Sequence, residues 1–164
     1  MKCVFFASTV LIGVCASNTS FGQAVTTERT INLAIANEMV AAAVEACTAD
    51  KYNVVAAVVD RSGQLKALQR ADNARPHALD IAQRKATTAA MLGYETSRLA
   101  ENIQKGVTPA SILNTPGFTS LLGGFPIKVG NEVIGGIGVS GAPGGQFDAA
   151  CVEAALKRVG DKLK

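Results

Sequence analysis

The sequence predicts a single α/β domain. Apolar residues recur at helical spacing over residues 27–50 and 77–92, two pairs of short β-rich segments are each joined by turn chemistry, and a glycine-rich strand runs into a final helix. The length of 164 residues suits one core.

Taken in order, Ile31, Ile35, Met39, Ala42 and Ala46 form one apolar stripe between Thr27 and Asp50, and Leu33, Val40 and Cys47 form a second. This predicts a largely buried, alanine-rich helix. Thr26 or Thr27 is expected to cap its start, with Glu28 in the first turn where the helix dipole favours an anion. Tyr52 to Val59 is rich in β-branched residues, Asp60-Arg61-Ser62-Gly63 supplies a turn, and Gln64 to Gln69 alternates polar with apolar, which predicts a β-hairpin. Asp72, Asn73 and Pro76 break the chain before a helix over His77 to Leu92, closed by Gly93. Along one face of it fall His77, Ile81, Arg84 or Lys85, Thr88 and Met91. A short helix from Thr96 to Gln104, a turn around Thr108 to Leu113 and a break at Asn114-Thr115-Pro116-Gly117 follow. Strands are expected over Phe118 to Leu122, Phe125 to Val129 and Glu132 to Val139, the last two joined by a Gly130-Asn131 turn, and then a helix from about Gln146 to Val159 ended by Gly160.

Residues 1–22 read as an export signal. Lys2 gives the positive start, Cys3 to Ala16 form an apolar stretch of 14 residues that is short for a bilayer span, and Ser20 and Gly22 suit a peptidase site before Gln23. A shifted site using Gly22 and Ala24, or lipidation at Cys15, are the alternatives weighed. Residues 23–164 then form the single domain, expected to be periplasmic or secreted, without membrane insertion once the signal is gone. Net charge falls from +3 to +2 with Lys2, Trp is absent and aromatics make up 5% of the chain, so neither the charge nor the stacking platforms of a nucleic-acid binder are present. Cys3 and Cys15 leave with the signal. Cys47 and Cys151 remain in an oxidising setting, which suggests one disulfide, with two buried free thiols as the alternative.

His77 is the only histidine, so no His-rich zinc site can form, and any imidazole chemistry must use this residue. GGIGVSGAPGG contains a G-x-G-x-x-G pattern at Gly136, Gly138 and Gly141, yet the chain ends before the further strand and acidic residue that a dinucleotide site requires. The expected role of these glycines is close approach of backbone to another strand or to a flat ligand. Gly138-Val139-Ser140-Gly141-Ala142 resembles half a nucleophile elbow, but the histidine precedes Ser140 where that fold places it after. Arg61, Arg70, Arg75, Arg84 and Lys85 concentrate positive charge that reads either as a solvated face or as a partner for carboxylates.

NVVAAVVDRSGQLKALQRADNARPHALDIAQRKATTAA together with GGFPIKVGNEVIGGIGVSGAPGG resembles the GlcG/HbpS-like haem-binding, or haem-degrading, family over about Thr27 to Gly160. That resemblance implies a profilin-like α/β fold, an antiparallel sheet of about five strands flanked by helices on both sides. It also implies haem binding and homo-oligomers, dimers assembling into a closed form such as an octamer. The chain departs from the family pattern at Asn73, where a glycine is common, at Ala149, where a second acid often follows Asp148, and at Gln146, where some exported relatives carry histidine. On this reading His77 is the axial candidate for haem iron and Arg70, Arg75 and Arg84 lie near the propionates, while Ile81, Leu79 and the glycine-rich strand offer apolar surface. Met39, Met91, Tyr52 and Tyr94 are rival ligands. The expected function is an exported haem-binding protein that sequesters or delivers haem, with haem degradation as a further activity. The alternatives are an enzyme or accessory factor for a small hydroxy acid or related carboxylate, and a scaffold without ligand.

Overall fold

The computed structural model describes residues 26–164; the expected export signal over residues 1–22, with Cys3 and Cys15, lies outside them. Helix α1 (Leu33–Ala49) begins later than its periodicity suggests, because Asn32, not Thr26 or Thr27, is the cap: its side chain accepts the Ile35 N–H at 2.9 Å. Ahead of it the chain is extended, and Ile31 N–H donates to the Ile134 carbonyl. Strands β1 (Val55–Asp60) and β2 (Leu65–Arg70) form the expected hairpin, its turn held by Asp60 Oδ1 accepting from the backbone of Ser62 and Gln64. Helix α2 (Ala78–Leu92) starts immediately after His77 and ends at Gly93 in the left-handed region. Helix α3 (Thr96–Gln104), a 3₁₀ turn (Ala110–Asn114), strands β3 (Gly124–Val129) and β4 (Glu132–Ser140), helix α4 (Gly145–Val159) and a terminal 3₁₀ turn (Gly160–Lys162) complete the order.

Among the described residues the sheet has four strands, antiparallel throughout, in the order β2-β1-β4-β3. The fifth expected strand, Phe118 to Leu122, is a loop. Side chains of α2 occupy the backbone groups that a neighbouring strand would otherwise take: Thr88 Oγ1 accepts from Thr119 N–H and Arg84 donates to the Phe118 carbonyl.

The sheet is a central layer. On one face Ala56, Val58, Ile137 and Val139 meet Met39 and Val40 of α1 and Val152 of α4 in the main core. Cys47 and Cys151, both buried there, are joined by a disulfide that ties α1 to α4. On the other face Val55, Ala57 and Val59 pack against Ala78, Ala82, Ala86 and Ala90 of α2. Here β4 presents Gly136 and Gly138 to the middle of α2. A Cβ at Gly136 would stand 2.2 Å from the Ala86 carbonyl oxygen and one at Gly138 would stand 2.3 Å from that of Ala82. The expected close approach is therefore real, but its partner is the backbone of a helix.

Candidate binding cleft

Because α2 lies directly on β4, the residues on its flank are held against the turn that leaves the strand. His77, Ile81 and Lys85, spaced four apart on one stripe of the helix, line a cleft of about 460 Å³ whose opposite wall is Ser140 to Gln146. Leu121 and Leu122 from the loop before β3 add apolar surface, and Arg75 stands at the same opening. The cleft is thus built from one helix flank, one strand end and one helix start.

Lys85 and Asp148 form its floor. Although the side chains are only 3% and 5% exposed, Lys85 Nζ lies 2.8 Å from Asp148 Oδ2 and also donates to the Val139 carbonyl at 2.7 Å. Asp148 Oδ1 accepts the Ala142 N–H at 3.0 Å, so this one carboxylate links α2 to the turn after β4. Burial holds the amine below its ordinary value and pushes the carboxyl above its own, each shift opposed by the mutual attraction of the pair. The sequence placed Lys85 in a basic cluster that reads either as a solvated face or as a partner for carboxylates, and it gave Asp148 no role. The signal that was present is a charged residue on the alanine stripe of α2, where only a buried partner makes a charge tolerable.

Of the other expected site residues, His77 is exposed at the start of α2 and Arg75 is beside it, so these two are brought together. Arg70 and Arg84 do not line the cleft. Arg70 wraps the Ala74 carbonyl with Nε and a terminal nitrogen at 2.9 and 2.6 Å, whereas Arg84 is held by the Phe118 carbonyl and by Asp80 at 3.6 Å. Arg61 pairs with Glu132 at 2.9 Å. Arg75 alone of that basic cluster has neither an ion pair nor a side-chain hydrogen bond among the described residues. The rival ligands are elsewhere: Met39 is in the core, Met91 adjoins Gly63, Tyr94 lies beneath Arg98, and Tyr52 packs on Phe147 beside a neighbouring depression. No helix among the described residues is long and apolar enough to cross a membrane.

Known proteins share this architecture. Residues 31–157 match a family described as haem degrading protein HbpS-like. Protein GlcG of Escherichia coli strain K12 is 39% identical over 106 residues, 65% of this chain and 78% of that protein. The crystal structure of an HbpS double mutant from Streptomyces reticuli is 32% identical, covers 94% of this chain and 98% of its own, and superposes with a TM-score of 0.79. A PduOC:haem complex, 23% identical over 78% of this chain and 94% of its own with a TM-score of 0.72, has the same fold.

Proposed function

The chain belongs to the HbpS-like family, and from that premise we propose that it binds haem in the cleft, as an exported protein that sequesters or delivers haem. The observation that carries this reading is the meeting of the only imidazole and an unpaired guanidinium at one apolar-walled opening. The residues fit the group. His77 is exposed and offers a nitrogen donor for the iron, Arg75 has free donors for a propionate, and Ile81, Leu121, Leu122 and Ala142 offer surface to a flat macrocycle. Bound haem would supply iron-centred chemistry toward oxygen or peroxide. The chain's own part is to hold and orient it, with His77 at the helix start, Arg75 at the rim and the Ser140 to Gln146 wall fixed by Asp148. Haem degradation is the further activity proposed, with no residue of the cleft assigned to it.

Leu121 and Leu122, which line the opening, are 51% and 38% exposed, and Phe147, packed on Tyr52, is 39% exposed. We therefore propose closed homo-oligomers, since symmetric assembly covers such surface without open ends.

Haemin titration of the purified protein tests the binding reading. A saturable Soret band of defined stoichiometry is expected, shifted or lost in His77→Ala while the far-ultraviolet circular dichroism is unchanged. An unaltered band and affinity in that variant would remove His77 from the site, and no saturable band in the wild type would remove haem.

A further inference from the structure

The floor of the cleft holds a primary amine and a carboxyl group side by side. Lys85 uses two of its three N–H donors, on the Val139 carbonyl and on Asp148, and both residues of the pair face the same cleft. Gly123 adjoins the amine and contributes no side chain; even a Cβ there would stand 3.2 Å from Nζ and 2.8 Å from Asp148 Cβ. Around them Ile81, Leu121 and Ala142 provide apolar walls.

We propose that Lys85 is a nucleophile toward small carbonyl compounds, forming an imine with an aldehyde or ketone while Asp148 carries the proton. In the resting pair the nitrogen is an ammonium and has no lone pair to attack with. Burial disfavours both charges, so passing a proton from Nζ to Oδ2 across 2.8 Å is easier than in water. The freed lone pair forms the C–N bond, the carbonyl π electrons move to oxygen, and that oxygen takes a proton from nitrogen to give the carbinolamine. Asp148 returns its proton to the hydroxyl, which leaves as water while the nitrogen lone pair forms the C=N bond. The net change is ammonium plus carbonyl to iminium plus water. Asp148 is ionised at the start and at the end, and no oxidant or reductant takes part.

The test is independent of haem. Wild-type protein is incubated with benzaldehyde or with pyruvate, reduced with cyanoborohydride, and mapped by peptide mass spectrometry. The secondary amine is expected on Lys85 ahead of the exposed Lys51, Lys105 and Lys157. Labelling by benzaldehyde assigns the site to neutral carbonyls, and labelling by pyruvate to carboxylate-bearing ones. Asp148→Asn is expected to slow Lys85 labelling about a hundredfold, the scale of a lost acid/base partner, while exposed lysines react as before. Lys85→Met alone leaves a buried carboxylate unpaired and endangers the fold. The double variant Lys85→Met/Asp148→Leu is therefore the folded control, expected to lose the cleft adduct and keep the native circular dichroism. Adducts confined to exposed lysines in the wild type, or equal labelling of Lys85 in Asp148→Asn, overturn the proposal.

Discussion

Gly138→Ala is the smallest perturbation that addresses how the cleft is positioned. The added methyl would lie 2.3 Å from the Ala82 carbonyl oxygen, 2.6 Å from the Ala86 nitrogen and 2.8 Å from Lys85 Cβ. A carbon–oxygen contact settles at about 3.3 Å or more, so α2 must lift from the sheet by about 1 Å. Two of the three neighbours are backbone atoms of a helix and cannot rotate away, which places the cost at the upper end of overpacking, about 3 kcal/mol. With unfolding entropy of about 2.1 cal/mol/K per residue over roughly 140 residues, that corresponds to a melting temperature lower by about 10 °C. Gly160→Ala is the control, because nothing lies within 4 Å of a Cβ there, and it should melt within about 2 °C of the wild type. Thermal circular dichroism reads both variants. A Gly138→Ala protein that melts with the control refutes the close helix-on-strand contact and, with it, our account of how His77, Ile81 and Lys85 are held.

The buried ion pair should show the asymmetry of such pairs: Lys85→Met is expected to cost about 3–5 kcal/mol in urea unfolding, and Lys85→Met/Asp148→Leu to recover most of it. Equal losses in the two variants would contradict that account. Because burial raises the Asp148 carboxyl above 3.8 in the folded state, its charged form costs stability that is absent below the unfolded value and sets in as pH rises toward the folded one. The wild type should therefore gain stability relative to the double variant on acidification from neutral to about pH 3, and a relative loss would reverse the assigned sign. The Cys47–Cys151 bridge closes a separation of 104 residues, so reducing it should lower stability by about 5 kcal/mol in the chain-entropy picture. Thiol titration of the unfolded, unreduced protein, with the labelled peptides mapped, should find neither of these sulfhydryls free.

What the sequence made legible is local. The first hairpin announces itself through Asp60 to Gly63, the second through Gly130 and Asn131, and α2 through its alanine stripe and Gly93. The errors arise where a side chain from a distant element decides the backbone. Phe118 to Leu122 has strand composition, yet Arg84 and Thr88 take its hydrogen bonds from a helix more than 30 positions away in sequence. The true cap of α1 is Asn32, which periodicity alone could not prefer over Thr26 or Thr27. Within the cleft, His77, Ile81 and, as an alternative to Arg84, Lys85 followed from helical spacing. The pairing of Lys85 with Asp148 did not, since it spans 63 residues and becomes visible only when α2 and α4 are set beside the end of β4. Charge density grouped Arg70 and Arg84 with Arg75, whereas fixed carbonyls and Asp80 hold the first two elsewhere.

The two faces of β4 give the molecule interlayer spacings of different kinds. Toward α1 and α4 the gap is filled by Ile137, Val139, Met39 and Val152, side chains with rotamers to exchange; toward α2 it is closed by glycine against peptide groups, with no rotamers to change. The cleft draws one wall from α2 and the other from the end of β4 and the start of α4, so one wall belongs to the glycine-spaced layer and the other to the layer stapled through Cys47 and Cys151. Asp148 on the second wall is tied at 2.8 Å to Lys85 on the first, so the two layers, spaced by different means, are locked to one another at the floor of the cleft.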